Sequence, residues 1–155
     1  MINKNIRYEL WTDGSCYHKD RIGGWAFCLV ENDKIKHEDF FFCDDVTSAL
    51  MELRAGLEAV TYFNKNFKNE KVLIVTDYAT LSNCFNERWY KDWIELDFSG
   101  IKNEWIWKSI FKEVFSGVNK FEFKHVKGHS NIFFNERVDF LAGFCRKYRV
   151  DDLKK

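Results

Sequence analysis

The chain has 155 residues, the length of one ordinary domain with little room for a second. Hydrophobic residues make up 46% and aromatic residues 18%, enough for a sizeable core, which excludes disordered, collagen-like and low-complexity architectures. Twenty-four basic side chains balance twenty-four acidic ones, which argues against an indiscriminate coat for nucleic acid.

There is no proline, so element boundaries rest on Gly, Asn, Asp and periodicity. Residues 6–12 read as a strand ending at Asp13-Gly14. Gly23 to Val30 and Ile35 to Phe42 are rich in aromatic and β-branched residues, and Glu31-Asn32-Asp33-Lys34 between them is turn chemistry, so they read as a hairpin. Thr47 or Ser48 caps a helix running to about residue 64, with Leu50, Leu53, Leu57 and Val60 on one apolar stripe. Val72 to Val75 is a bare apolar run, as in a strand covered on both faces. A short helix over about 78–86 follows Thr76-Asp77, and residues 87–102 are irregular and Trp-rich. A helix over about 103–117 carries Trp107, Ile110, Phe111, Val114 and Phe115 on one face. Phe121 to Val126 is a further strand, in which His125 alternates with Phe121 and Phe123 and is expected to pack in or near the core. Gly128 to Phe133 is a loop, and a last helix covers about 134–149.

This order predicts an α/β fold, more closely an α+β mixed sheet, whose later strands are parallel and joined by helices. One domain is expected over 1–155, its core at about 6–148. No run approaches the roughly 18 apolar residues of a membrane span. The first residues lack the apolar stretch of a signal peptide, and the five cysteines show no metal-binding spacing. We therefore expect a cytoplasmic protein with reduced thiols and no membrane partner.

The zero net charge hides an asymmetry. Residues 1–100 carry 12 basic and 17 acidic side chains, and residues 101–155 carry 12 basic and 7 acidic. The later part therefore stands at +5 and is the expected side for a polyanion, although two evenly solvated faces fit the count equally well.

Four carboxylates fall where strands end or helices begin: Asp13, Glu52, Asp77 and Asp139. Singly, each has an ordinary explanation. Asp13-Gly14 suits a turn, Asp77 could cap the helix after it, and Glu52 and Asp139 could lie on solvated helix faces. Jointly they suggest a site beyond the carboxyl ends of parallel strands. Clustered carboxylates repel one another unless hard cations neutralise them, and oxygen-only ligation points to magnesium or manganese.

The residues also form five blocks: Tyr8-Glu-Leu-Trp-Thr-Asp-Gly-Ser15, Met51-Glu-Leu-Arg-Ala55, Val75-Thr-Asp77, Val126-Lys-Gly-His129 and Asn135-Glu-Arg-Val-Asp139. In order and spacing they resemble the blocks of type 1 ribonuclease H, over about residues 6–148. The resemblance implies a five-stranded mixed sheet in the order 3-2-1-4-5, flanked by helices. It implies an endonuclease that cuts the RNA strand of RNA–DNA hybrids and leaves 5′-phosphate and 3′-hydroxyl ends. It places two Mg2+ ions, with Mn2+ able to substitute, on Asp13, Glu52, Asp77 and Asp139, with Asp13 shared by both. His129 matches the family histidine that assists proton movement or product departure, and Glu136 a position that supports it. Gly14, Ser15, Cys16, Thr47, Ser48 and Asn135 match positions that contact the hybrid, whose 2′-hydroxyls distinguish RNA from DNA. A monomer is expected.

Three features depart from the family, one being the loop Cys16-Tyr-His-Lys-Asp-Arg-Ile22, where many relatives have a Gly/Pro/Asn stretch. Ser48-Ala49-Leu50 stands where many relatives have asparagines. Residues 87–99, where bacterial relatives often carry a basic handle, hold two basic and four acidic side chains. Trp89, Tyr90 and Trp93 within that segment are expected to pack on the domain rather than stack on bases. Two other readings remain: a DNA nuclease or strand-transferase on the same fold, and a non-catalytic nucleic-acid-binding accessory module.

Overall fold

The computed structural model describes residues 6–154. The stretch from Met1 to Asn5, which bears on the signal-peptide reading, and Lys155 lie outside the described residues. The elements in chain order are β1 (Tyr8–Tyr17), β2 (Ile22–Glu31), β3 (Lys34–Cys43), α1 (Ser48–Asn66), β4 (Lys71–Thr76), α2 (Ala79–Asn86), α3 (Trp89–Glu95), α4 (Glu104–Val114), β5 (Lys120–His125) and α5 (Phe133–Leu153). The strands form one sheet in the order β3-β2-β1-β4-β5, the order implied by the resemblance. β1 pairs antiparallel with β2 and parallel with β4, and β4 pairs parallel with β5.

The apolar alternation of the strands divides the core into two layers. Tyr8, Leu10, Phe27, Leu29, Val72 and Ile74 point to one face, where Leu53, Val60 and Phe63 of α1 and Ile106 and Ile110 of α4 cover them. Trp11, Ala26, Cys28, Val30, Leu73 and Val75 point to the other, where Val138, Leu141 and Ala142 of α5 lie. β4 is therefore covered on both faces, as its bare apolar run predicts. The β2–β3 hairpin turns at Asn32 and Asp33, both at positive φ (52° and 62°), the conformation of a two-residue turn that follows strand twist.

Several sequence readings differ from the structure, among them the end of α4, at Val114 rather than about 117. β1 does not end at Asp13. Its pairing with β4 stops at Thr12 opposite Thr76, but its ladder with β2 continues to Tyr17 opposite Ile22. Asp13 therefore stands at the fork where β1 leaves β4, and continued pairing with β2 overrides the turn propensity of Asp-Gly. Residues 89–95 are helical rather than irregular. α3 starts from Arg88 at φ +58° without a side-chain cap, so it lacks the usual start signal. Tyr90 and Trp93 pack against the core, with Trp93 edge-on to Trp107 at 4.9 Å. α5 extends four residues beyond the expected 149, to Leu153. His125, finally, is exposed rather than packed in the core. β5 ends there, past the buried Phe123, and its Nε2 lies 3.2 Å from the Asp77 carbonyl oxygen.

Candidate active site

The site lies at the fork between β1 and β4. Asp13 is brought there by β1 and is 3% exposed. Asp77 directly follows Thr76, the last residue of β4. Glu52 comes from the second turn of α1, whose start is fixed by the Thr47 hydroxyl accepting from the Leu50 amide at 3.2 Å. Gly14 allows α1 to come this close. A Cβ on Gly14 would stand 2.3 Å from both the Met51 carbonyl carbon and the Glu52 nitrogen, so any side chain there would push the helix away. The Gly14 amide instead donates to Glu52 Oε1 at 2.6 Å and to Asp13 Oδ1 at 2.9 Å.

Ligand oxygens of Asp13, Glu52 and Asp77 lie within 4.8 Å of one another. Asp139, seventh residue of α5, forms a second such group with Glu136 and His129, also within 4.8 Å. The two groups adjoin, since the charges of Asp139 and His129 both act on Asp77 and Gly128, next to His129, abuts the Asp77 carboxylate. The four carboxylates proposed from sequence therefore converge on one place.

The electrostatics of the cluster are unfavourable. Burial raises the Asp13 carboxyl far above the ordinary carboxylate range, and the charges of Glu52 and Asp77 raise it further. Burial also raises Glu52, with Asp77 adding to it. Asp77 is raised by burial and by Asp139, with His129 acting in the opposite direction. No lysine or arginine pairs with any of the four among the described residues. Clustered carboxylates, one buried and three half-buried, without a basic partner are what a hard divalent cation neutralises, so the donor set fits magnesium or manganese.

His129 is exposed on the loop between β5 and α5, at φ +55°. The loop backbone runs close to the cluster, and a Cβ on Gly128 would sit 2.9 Å from Asp77 Oδ2.

The remaining sequence candidates differ in what they can offer a ligand. Cys16 is buried, its thiol directed to the Val46 carbonyl at 3.4 Å, so only its backbone can meet a substrate. The Thr47 hydroxyl is engaged in its cap, and Ser48 lies half-buried in the first turn of α1. Asn135 is 2% exposed, and its Oδ1 has no hydrogen-bond partner among the described residues. Ser15 Oγ accepts from Arg146 Nη1 at 2.5 Å, and the Arg146 guanidinium lies 3.8 Å from the Tyr17 ring centroid. Sequence reasoning missed this link between β1 and α5. The pairing of residues 131 positions apart leaves no signal in spacing.

The chain is similar to known proteins in sequence and fold. A family model described as RNase H matches residues 5–145. The chain is 32% identical over 147 residues to a ribonuclease H of Caldanaerobacter subterraneus subsp. tengcongensis, covering 92% of each chain. It is 34% identical over 134 residues to a ribonuclease HI of Campylobacter jejuni, covering 86% of this chain and 87% of the relative. Among solved structures, LC11-RNase H1 in complex with RNA/DNA hybrid superposes with a TM-score of 0.73 at 13% identity, over 92% of this chain and 99% of that one.

Proposed function

The chain belongs to the ribonuclease H family, and on that premise we propose that it is an endonuclease hydrolysing the RNA strand of RNA–DNA hybrids, leaving 5′-phosphate and 3′-hydroxyl ends. The observation that carries the reading is the cluster itself: four carboxylates from β1, α1, the end of β4 and α5, unpaired with any base, at a fork in the sheet. Asp13, Glu52, Asp77 and Asp139 are the groups that would hold two Mg2+ ions. When bound, these would supply an activated water and neutralise the leaving 3′-oxygen.

The chain's own residues do the rest. Asp13 sits deepest in the group it forms with Glu52 and Asp77, and Asp139 of the other group lies beside it. The Gly14 amide orients Glu52 and Asp13 through its two hydrogen bonds, so neither carboxylate must reorganise when charge develops. His129, exposed and beside Asp77, Glu136 and Asp139, is placed to carry a proton between the reacting phosphate and water. Its position on a loop suits a group that must also let product leave. Glu136 supports that imidazole from the first turn of α5.

Substrate choice rests on the backbone strip Gly14, Ser15 and Cys16, whose peptide groups can meet a 2′-hydroxyl where the buried thiol cannot. Thr47 and Ser48 at the start of α1, and Asn135 in the first turn of α5, are the side chains proposed to add to it. The test is a gel assay with labelled hybrid, duplex RNA and duplex DNA, with and without magnesium. Cleavage of the RNA strand of the hybrid alone, only with magnesium, is expected. Cleavage of duplex DNA, or hybrid binding without cleavage, would overturn the reading in favour of a DNA-acting enzyme or an accessory module.

A further inference from the structure

Beyond the carboxylates, β1 and α5 share a second meeting point. Along β1 the odd-numbered positions face α5. Trp11 packs with Val138 and Leu141, Asp13 lies beside Asp139, and Ser15 bonds Arg146. Gly14, by contrast, faces α1. Asp13, Ser15 and Tyr17 therefore form a row on one face, each about 6.8 Å from the next along the strand. Asp139 and Arg146, seven residues apart on α5, run beside that row, separated by two helical turns or about 10.5 Å of rise. The acidic end of this seam is the carboxylate cluster. Its other end is a cation.

Arg146 is unlike the other arginines of α5. Arg137 is tied to Glu38 by two hydrogen bonds of 2.6 and 3.0 Å, and Arg149 to Asp44 by two of 3.1 and 2.8 Å. Arg146 has no carboxylate partner among the described residues, and Ser15 Oγ is its one acceptor there. Stacking on Tyr17 holds the guanidinium plane fixed. Gly143 lies beneath Nη2, with a would-be Cβ at 3.9 Å, so no side chain at that position covers this edge of the fork. A guanidinium held on one face and left with free donors matches the oxygens of a phosphodiester.

We propose that Arg146, positioned by Ser15 and Tyr17, is a phosphate seat for the strand that is cut, engaging the phosphate one nucleotide away from the one at the carboxylate cluster. The spacing supports this register, because one two-residue step along β1 is about the length of one nucleotide step of a backbone. The proposal rests on the hybrid-cleaving reading above and adds to it a substrate contact outside the five sequence blocks.

The test uses the full chain and a hybrid whose RNA strand carries one neutral 2′-deoxy methylphosphonate linkage, with cleavage mapped at each bond under single-turnover conditions. For the unsubstituted chain, cleavage one nucleotide from the neutral linkage should fall by roughly ten- to hundredfold, the range for a lost charged hydrogen bond. Arg146→Ala should lower kcat/KM on the unmodified hybrid by a similar factor, mainly through KM, and flatten the salt slope of log K by about 0.7–0.9. In Arg146→Ala the neutral linkage should bring no further loss at that bond. Arg146→Lys keeps the charge without the fork, should fold even if the alanine variant does not, and should show a weakened but position-specific loss. Tyr17→Ala should reproduce part of the KM effect at the same linkage.

If the loss in Arg146→Ala or Arg146→Lys is the same at every linkage, or if kcat/KM and the salt slope are unchanged, the seat does not exist and Arg146 only clasps β1 to α5. That outcome leaves hybrid cleavage intact. Failure of the unsubstituted chain to cleave hybrid at all would instead overturn the functional reading, and this proposal with it.

Discussion

Neutralising Asp13 should stabilise the metal-free protein while abolishing its chemistry. The ligand oxygens of Asp13, Glu52 and Asp77 lie within 4.8 Å, and at an effective dielectric of about 20 two unit charges at that distance repel by about 3.5 kcal/mol. Bound protons relieve part of that repulsion. The gain from Asp13→Asn is therefore less than one full pair, about 1–3 kcal/mol, which at about 2–4 °C per kcal/mol for a domain of this size raises Tm by about 2–12 °C.

The pH dependence has a definite sign. All three carboxyls are raised on folding, Glu52 to about 8. Between the ordinary carboxylate range and that value, the folded state holds more protons than the unfolded one. Stability of the metal-free chain therefore falls as pH rises through this window. Thermal melts in chelator should show Tm decreasing from pH 5 to pH 8, with a shallower decrease for Asp13→Asn. Saturating magnesium should restore stability at pH 8, by about 2.7 kcal/mol at a hundredfold excess over Kd, and should add little to Asp13→Asn. If Asp13→Asn melts lower than the parent in chelator, or if magnesium stabilises both equally, Asp13 is not part of a cation site and the reasoning fails.

Three further outcomes follow from the same geometry. His129→Ala should slow turnover by roughly 10²-fold, within the range for proton-transfer assistance, while the magnesium-dependent rise in Tm is unchanged. Loss of that rise would make His129 a ligand instead. Gly14→Ala places a Cβ 2.3 Å from the α1 backbone and should destabilise by about 1–3 kcal/mol or more, with cleavage falling further than the melt accounts for, because Glu52 is displaced. Replacing Arg88 and Lys91 by Gln should leave the salt slope for hybrid binding within error, since the segment around them is net acidic. A slope flattened by about 0.7–0.9 per residue would show α3 to be a phosphate contact.

Much of the site was legible because its residues sit at punctuation points. A strand end, a helix start and an Asp-Gly pair each leave a local mark, and four such marks in the right order imply convergence. The hairpin turn at Asn32-Asp33 and the two-sided burial of β4 were legible for the same reason, since turn chemistry and apolar runs are local signals. What sequence misplaced depended on distant partners. Asp13 looked terminal because Asp-Gly favours turns, yet β2 keeps β1 extended for four more residues. His125 looked like a core residue because it continues an alternation with Phe121 and Phe123. Alternation marks a face but not where cover ends, and β5 ends at that residue. α3 lacked a capping side chain, and it is held by Tyr90 and Trp93 reaching back to the core.

The charge asymmetry shows how little a sum says about location. The excess of +5 over residues 101–155 suggested a diffuse basic face. In the structure two of its cations are matched by acids from the earlier part of the chain, Arg137 by Glu38 and Arg149 by Asp44. Such pairs on the surface contribute little to stability, and each removes a cation from service to a phosphate. Arg146 stands apart because it is held by a hydroxyl and an aromatic face, neither of which neutralises it. Its charge therefore remains available beside the β1 row that begins at Asp13. A polyanion drawn to this molecule would meet one fixed positive group next to a carboxylate cluster that needs cations of its own. That arrangement selects a backbone in register rather than any polyanion in any position.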